Sequence, residues 1–237
     1  TFIYLWLISL CSCQKELIEY EKGDVKICIE QGEQWLHDFP LFLGINKKNP
    51  PQIAIWLEDT QGNYLSTVYV THKIATQSWQ ASGGNRRKEA LPHWCYSRGV
   101  KYDDGLYLPT KKEPLIDGIS GATPHESFNI KLNPATALKK FVVKIEINHS
   151  TDFNEAFPKS AKDGEANYSG GKEGSGQPAI VYAANVDLSS GEKSFEANLM
   201  GHSSPDGSSG EVNKDTSGLT TASVCYTHLR AHETKAN

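Results

Sequence analysis

The sequence predicts an all-β protein that folds as a single β-sandwich domain with long loops. Apolar and polar residues alternate over several short segments, and Gly-, Pro- and Ser-rich stretches separate these segments. Alternation is the period of a strand with one buried face, and short strands joined by such loops are typical of sandwiches. A chain of 237 residues is also long enough to bury a sizeable core.

Strand-like segments follow one another along most of the chain. Residues 24–30 alternate apolar and polar side chains, and residues 52–57 and 64–70 flank the turn Gln61-Gly62-Asn63. Gly and Asn tolerate the positive φ angles of tight turns, so these two segments are expected to pair as a hairpin. Further strands are predicted over residues 127–132, 141–147, 179–188 and 194–200. Short helical turns are predicted at 32–37 and 135–140, and a long polar loop at 160–177.

The first residues resemble the export signal of a bacterial lipoprotein. Residues 1–12 carry no charge and are mostly apolar, which suits a signal peptide but is too short to span a bilayer. The segment Leu10-Cys11-Ser12-Cys13 resembles a lipobox, and by that resemblance Cys13 becomes the lipidated first residue of the mature protein. The alternative is a buried N-terminal strand. We expect a partial lipoprotein signal peptide at 1–12, an anchor linker at 13–23 and an Ig-like sandwich at 24–222.

The last residues, 223–237, resemble a translated sequencing adapter. Residues 224–234 match the reading frame of such an adapter except at Cys225. On this interpretation the native sequence ends near Ala222, and the last strand of the sandwich is missing. We therefore set aside the histidines and Cys225 of this segment, which would otherwise suggest a metal cluster.

Composition and motifs exclude several classes of function. The chain has 24 Lys and Arg against 28 Asp and Glu, a net charge of −4, and no basic run, which argues against a nucleic-acid partner. It contains no Gly-x-Ser-x-Gly elbow, phosphate-binding P-loop, His-Glu-x-x-His motif or dinucleotide fingerprint, so a self-contained enzyme is not expected. Cys28 and Cys95 form either one disulfide or two buried thiols.

Three segments resemble a family of secreted bacterial proteins. They are residues 51–62 (PQIAIWLEDTQG), 86–92 (RRKEALP) and 117–124 (DGISGATP). In these segments the chain is similar to the predicted periplasmic family called domain of unknown function 2271, over about residues 24–147. The later part resembles a lipoprotein branch of that family. The resemblance implies a secreted β-sandwich without an established activity.

One of these segments is also similar to the acceptor motif of bacterial FMN transferases, an Asp and two spacers, then Ser or Thr and Gly-Ala-Thr. The matching residues are Asp117, Ser120, Gly121, Ala122 and Thr123. In that chemistry the last Thr hydroxyl attacks the phosphoanhydride of FAD, and FMN stays attached through a phosphoester. The resemblance implies covalent FMN on Thr123 and an FMN transferase or redox partner. The alternative is a tight loop in which Gly121 supplies unusual φ and ψ angles.

A polar and aromatic surface is the second candidate site, formed by Trp79, Arg86, Arg87, His93 and Trp94. Arginine side chains beside aromatic rings are typical of surfaces that bind carboxylates, phosphates or sugars. The alternative is that both tryptophans fill the core and the arginines are solvated.

No metal site is predicted. The candidate ligands are His149, Asp152, Glu155, His202 and Asp206. Their spacing matches neither a calcium-binding loop nor a zinc motif, and solvated turns explain them.

The residues therefore favour a non-catalytic binding or accessory module, held at the cell envelope by a lipid anchor on Cys13. The expected location is the periplasm or the cell surface, at the outer membrane. Two alternatives stay open. One is an electron-transfer protein with FMN on Thr123, and the other is a surface lipoprotein that binds carbohydrate or another ligand.

Overall fold

The computed structural model of the chain describes residues 16–19, 25–40, 46–79, 86–116, 118–132, 138–224 and 226–233. The signal peptide predicted at 1–12, the lipidation residue Cys13 and the motif residue Asp117 lie outside the described residues. Within these ranges the chain is mostly strand, and its sheets do not close into a barrel. The prediction of an all-β, sandwich-like fold is confirmed.

The described residues form fourteen strands and two short α-helices. The strands are Glu16–Glu19 (β1), Val25–Gln31 (β2), His37–Pro40 (β3), Asn46–Asn49 (β4), Gln52–Glu58 (β5), Tyr64–Thr71 (β6), Ile119–Gly121 (β7), Phe128–Leu132 (β8), Lys140–Asn148 (β9), Ile180–Asp187 (β10), Ser194–Glu196 (β11), Asn198–Ser203 (β12), Val212–Asn213 (β13) and Tyr226–Glu233 (β14). The α-helices are His72–Thr76 (α1) and Pro92–Ser97 (α2), and 3-10 turns lie at Gly171–Glu173 and Thr221–Val224. Each strand predicted from the sequence is present with small shifts at its ends, and the segment 194–200 divides between β11 and β12.

The strands form two facing sheets and a separate ribbon. The order is β1-β8-β2-β14-β11 in the first sheet and β13-β12-β10-β9-β5-β6-β7 in the second. Among the described strand pairs, β1 with β8 and β6 with β7 are parallel, and the others are antiparallel. β3 and β4 pair as an antiparallel ribbon.

Asp59 fixes the turn between β5 and β6. Its Oδ1 accepts hydrogen bonds from the backbone N–H groups of Gln61 (2.9 Å) and Asn63 (2.8 Å), and its Oδ2 accepts one from Asn63 Nδ2 (2.8 Å). Gly62 adopts a φ of 86°, which a residue with a side chain rarely tolerates. The hairpin predicted from these turn residues is confirmed.

The main core lies between the two sheets. Alternate residues of the strands enter it, as expected for strands with one face on a core. The first sheet contributes Val25, Ile27, Ile29, Phe128, Ile130 and Leu132, and the second contributes Ile53, Ile55, Phe141, Val143, Ile145, Ile147, Ile180 and Tyr182.

A second, smaller core covers the other face of the second sheet. Ala54 and Trp56 of β5 pack there against residues of the two helices, among them Ile74 of α1 and Trp94 of α2. Because β5 is covered on both faces, its side chains are buried from Ile53 to its end. This explains why its sequence is a continuous apolar run rather than an alternating one.

The helices differ from the sequence predictions. Residues 32–36 form a turn, in which the Trp35 backbone N–H donates to Gly32 O (3.1 Å), and the chain then enters β3. Half of the turn predicted at 135–140 lies outside the described residues, residues 138 and 139 are not helical, and Lys140 begins β9. α1 and α2 were not predicted because five and six residues are too few to display a helical period.

Residues 226–233, assigned from the sequence to the adapter, form β14. This strand lies between β2 and β11, and its register places Leu229 opposite Ile29 and Ala231 opposite Ile27. The sequence predicted that the last strand of the sandwich is missing, but β14 takes this place in the first sheet. The segment is held there by antiparallel backbone pairing with β2 on one side and β11 on the other.

Candidate functional site

The described part of the motif, residues 118–123, contains the edge strand β7 and the start of the loop after it. β7 runs parallel to β6, with Thr71 opposite Gly121. Beyond β7, the Tyr69 hydroxyl donates a hydrogen bond to Ala122 O (2.9 Å). The motif is therefore held against β6 by backbone pairing and by a side chain of β6.

Gly121 does not supply the unusual backbone angles that the sequence suggested. Its φ lies outside the left-handed region, and a Cβ on it would lie 3.4 Å from the Tyr69 hydroxyl, close to ordinary contact distance. Gly118 is the constrained glycine, because a Cβ there would lie 2.9 Å from Thr67 Cγ2. Close packing against β6, rather than a positive φ, explains the glycine that precedes β7.

Thr123 is buried, with 4% of its surface exposed. Its Oγ1 lies 2.7 Å from Thr71 Oγ1, which also accepts a hydrogen bond from the Ile53 backbone N–H (2.9 Å). The next residue is held as well, since Trp35 Nε1 donates to Pro124 O (3.0 Å). The Thr123 hydroxyl, which the motif suggests as the attachment point of FMN, therefore belongs to a hydrogen-bonded cluster at the end of β6.

The same threonine lines a cavity of about 680 Å³. Gly121, Ala122 and Thr123 form one part of its wall, and Trp79 and Arg87 form another. The structure therefore brings together residues from the two candidate sites that the sequence suggested separately.

Arg87 is a buried member of the cavity wall. Its Nε donates to Glu89 Oε1 (2.9 Å), and its Nη1 and Nη2 donate to Ser150 Oγ (2.5 Å) and Ser175 Oγ (3.1 Å). The guanidinium carbon lies 4.7 Å from the centroid of the Trp79 ring. Arg87 is therefore buried rather than solvated, in contrast to the alternative interpretation of the sequence. Its charge is compensated by Glu89.

The rim of the cavity is rich in basic side chains. Lys47, His72, Lys73 and His125 line it and are exposed to solvent. Among the lining residues that the structure describes, Glu173 supplies the one carboxylate. An excess of cationic groups around a concave surface raises the local concentration of anions.

Three titratable side chains meet behind the rim. The rings of His37 and His149 have centroids 5.3 Å apart, and His37 Nδ1 lies 3.9 Å from Asp152 Oδ1. Burial lowers the pKa of His149 to about 3, so this imidazole is uncharged at neutral pH. Burial raises the pKa of Asp152, although its Oδ1 accepts a hydrogen bond from Thr221 Oγ1 (2.6 Å).

The other residues of the predicted aromatic surface lie away from the cavity. Trp94 is fully buried in the second core, Arg86 Nη1 donates to Leu108 O (2.9 Å), and His93 Nδ1 donates to Gly210 O (2.7 Å). The five residues therefore do not form one exposed surface. Both tryptophans belong to the second core, as in the alternative interpretation, and Trp79 also lines the cavity.

The candidate metal ligands do not assemble either. In the ranges that the structure describes, no group of three or more His, Cys, Asp and Glu side chains is placed to hold a metal ion. Asp206 accepts hydrogen bonds from Ser204 Oγ (2.7 Å) and the Ser208 N–H (3.0 Å) within a turn. His202 packs edge-on against Phe157.

Cys28 and Cys95 do not pair with each other. Cys28 lies on β2 of the first sheet, whereas Cys95 lies in α2 on the far side of the second sheet. Both are buried thiols, which is one of the two alternatives that the sequence left open.

Comparisons with known proteins give no relative: no family model, no curated protein and no solved structure matches the chain. The similarity to the domain of unknown function 2271 therefore stays a hypothesis. Among the described residues, no helix is long and apolar enough to cross a membrane.

Sequence reasoning missed the basic rim. Lys47, His72, Lys73 and His125 come from three separate segments, and each is an ordinary surface residue when its own neighbours are considered. The local signal is a position at the end of a strand or turn, since His72 and Lys73 directly follow β6 and His125 follows Pro124. This local signal does not predict that the four side chains line one cavity, because their proximity depends on how the strands pair.

Proposed function

We propose that this protein is a non-catalytic binding module whose cavity holds a small anionic ligand. The observation that carries the proposal is the basic rim, in which Lys47, His72, Lys73 and His125 surround the cavity and Glu173 is the acidic residue among the described lining residues. Cationic side chains that converge on a concave site are the usual way to recognise carboxylates and phosphates.

The size and the walls of the cavity support an organic anion. A volume of about 680 Å³ lies within the range of small-molecule sites, which are mostly apolar and contain a few polar groups. Pro50, Pro51 and Ala122 supply apolar wall beside the charged rim. A ligand with a carbon skeleton and a carboxylate or phosphate group would contact both.

The rim, rather than Arg87, supplies the attraction. Arg87 uses its Nε, Nη1 and Nη2 atoms on Glu89, Ser150 and Ser175, so its role is to hold the wall in place. Lys73 is exposed at the rim, and its Nζ lies 5.8 Å from the centroid of the Trp79 ring, which is part of the cavity wall.

Replacing Lys73 tests the proposal. Calorimetric titrations with citrate and with inorganic phosphate are expected to show saturable binding, which Lys73→Gln weakens by roughly five- to tenfold, the effect of one nearby charge in a partly solvated site. Lys193→Gln removes the same charge from an exposed position outside the cavity and is the matched control. Equal effects of the two substitutions, or no binding of either anion, would contradict an anion site in this cavity.

We also propose that the module lies outside the cytoplasm and is anchored through lipid on Cys13. The support is the similarity of Leu10-Cys11-Ser12-Cys13 to a lipobox, together with the apolar segment before it. Cys13→Ala is expected to release the full chain from the membrane fraction of bacterial cells. A variant that stays with the membranes would contradict the anchor.

A second candidate function is that of a flavin carrier with FMN on Thr123. The observation that favours it is that Gly121, Ala122 and Thr123 of the acceptor motif line the same cavity as the basic rim, which suits a phosphoester. In the reaction, Thr123 Oγ1 would attack the FMN phosphorus of FAD, the bond between the two phosphates would break, and AMP would leave. The hydroxyl proton would pass to a base of the transferase.

Intact mass decides between the carrier and the simple binding module. The chain is co-expressed in the periplasm with an FMN transferase, and a mass increase of one FMN that Thr123→Ala abolishes would support the carrier. Thr76→Ala, outside the motif, is the matched control. An unchanged mass, in cells where the transferase modifies another acceptor protein, would exclude the carrier and leave the motif as a structural loop.

A further inference from the structure

We infer that the cavity takes up protons when it binds its anion, so that its affinity for anions rises as the pH falls. The inference rests on the proposed function and assigns a regulation to the same site. The feature behind it is a set of three imidazoles, those of His37, His72 and His125, that line one cavity from separate elements.

The three imidazoles belong to different elements of the fold. His72 begins α1 and is exposed, with its Nδ1 3.3 Å from Ser120 Oγ of β7. His125 is exposed in the loop after the motif, and His37 is the half-buried first residue of β3. Because all three line the same cavity, the charge that each gains on protonation acts on the same bound anion.

Charged groups face these imidazoles from several elements. Lys47 of β4, Lys73 of α1 and Glu173 line the same cavity, and Asp152 Oδ1 lies 3.9 Å from His37 Nδ1. A bound anion adds negative charge beside the imidazoles, and a nearby negative charge favours the protonated form of an imidazole. Proton uptake and anion binding are therefore coupled.

Two further groups in the wall do not contribute protons. His149 lies beside His37, but burial keeps its pKa at about 3 and its imidazole neutral between pH 5 and 8. Arg87 forms an ion pair with Glu89, in which its Nε lies 2.9 Å from Glu89 Oε1. The imidazoles of the exposed rim and of His37 are therefore the groups on which proton uptake depends.

Linkage turns this arrangement into a measurable quantity. An imidazole ordinarily changes its charge between pH 5 and 8. If an anion raises the proton affinity of the imidazoles, protonation must raise the affinity for the anion by the same factor. Uptake of one proton per bound anion would strengthen binding about tenfold for each pH unit.

Sulfate is the appropriate probe because its own charge does not change between pH 5 and 8. Calorimetric titrations at pH 5.5, 6.5 and 8, each in two buffers of different ionisation enthalpy, give both Kd and the number of protons taken up. We expect Kd to be at least about tenfold lower at pH 5.5 than at pH 8, with roughly 0.5 to 2 protons taken up at pH 6.5.

Substitutions of the histidines test which imidazoles take up the protons when the anion binds. The double variant His72→Gln with His125→Gln is expected to lose at least half of the proton uptake, and adding His37→Gln should remove most of the rest. His202→Gln changes a histidine outside this cavity and should keep the full uptake, with melting curves to verify that each variant is folded.

The possible results separate the inference from the proposed function. Sulfate binding with equal Kd at pH 5.5 and 8, or full proton uptake by the double variant, would overturn the inference and leave the anion site standing. Absence of sulfate, phosphate and citrate binding at every pH would overturn the anion site itself, and proton-coupled binding with it.

Discussion

At the scale of single residues, Glu146 shows how the second sheet holds α2. This side chain of β9 is fully buried, and its Oε1 and Oε2 accept hydrogen bonds from the backbone N–H groups of His93 (3.1 Å) and Trp94 (2.8 Å). N–H groups at the start of a helix have no partner within the helix, so the carboxyl group satisfies two of them. Burial raises the pKa of Glu146 to about 8 in spite of these donors.

The raised pKa predicts a pH dependence of stability. Because the pKa lies above the ordinary carboxyl value of 4.5, the folded protein keeps a proton that the unfolded chain releases. The stabilising contribution of the protonated Glu146 carboxyl group is therefore fully present below pH 4.5, the ordinary pKa of the group. The free energy of unfolding then falls as the pH rises from about 5 to 8. Glu146→Gln is expected to remove this part of the decline.

The same substitution costs stability at low pH. The glutamine amide would direct its NH₂ group at one of the two backbone donors, which should lower the free energy of unfolding by about 1–3 kcal/mol at pH 5.5. Urea unfolding of the wild type and of Glu146→Gln at pH 5.5 and 8 measures both effects. An equal decline with pH in the two proteins would show that Glu146 is not the group responsible.

Single residues also show how far the sequence predicts the candidate site. Trp79, Arg87 and Thr123 were all candidates, because residue type and motif are local properties. That they share one cavity follows from the parallel pairing of β7 with β6, which no local pattern specifies. The basic rim was missed for the same reason.

At the scale of elements, β7 controls the geometry of the cavity. It is a three-residue strand at the end of its sheet, so its position depends on how closely it approaches β6. Gly118 permits that approach, since any Cβ there would meet Thr67, whose Oγ1 accepts a hydrogen bond from Trp94 Nε1 (3.0 Å). Thr67 is buried, so it has little room to move.

Two glycine substitutions should therefore differ in their effects. Gly118→Ala places a Cβ 2.9 Å from Thr67 Cγ2 and should lower the free energy of unfolding by about 1–3 kcal/mol. Gly121→Ala meets no comparable obstacle and should be neutral or stabilising by up to about 1 kcal/mol. Urea unfolding measures both, and a Gly121→Ala variant as unstable as Gly118→Ala would contradict this account of the strand.

Elements differ in how well the sequence predicts them. β2 and β9 were predicted because their alternation reflects one face on the main core, and β5 because a short apolar run suits a strand covered on both faces. The ribbon of β3 and β4 was missed, since Asn46–Asn49 is entirely polar and is held in its strand by backbone pairing with β3.

At the scale of the whole molecule, the chain is a sandwich with an additional layer over its second sheet. The first sheet is completed by β14, which separates β2 from β11. Without β14, one side of β2 would lose its backbone partners and become an exposed edge. The stability of the sandwich therefore depends on the last described strand, whatever the origin of its sequence.

Truncation tests this dependence. A chain that ends at Ala222 is expected to lose at least about 2 kcal/mol of unfolding free energy, because several backbone hydrogen bonds between β14 and β2 disappear. A chain that lacks only residues 234–237, beyond the end of β14, is the control. Equal melting temperatures for the two truncated chains would show that β14 contributes nothing.

The burial of Cys95 provides an internal reporter of opening. This thiol lies in the second core, where burial raises its pKa. While the second core stays closed, a thiol reagent cannot reach the sulfur, and the thiol stays protonated and unreactive. Its labelling rate in native buffer would therefore measure how often α2 and its surroundings detach from the sheet. If that rate changes with added anion, anion binding at the cavity is coupled to the opening of the second core, to which Trp79 of the cavity wall also belongs.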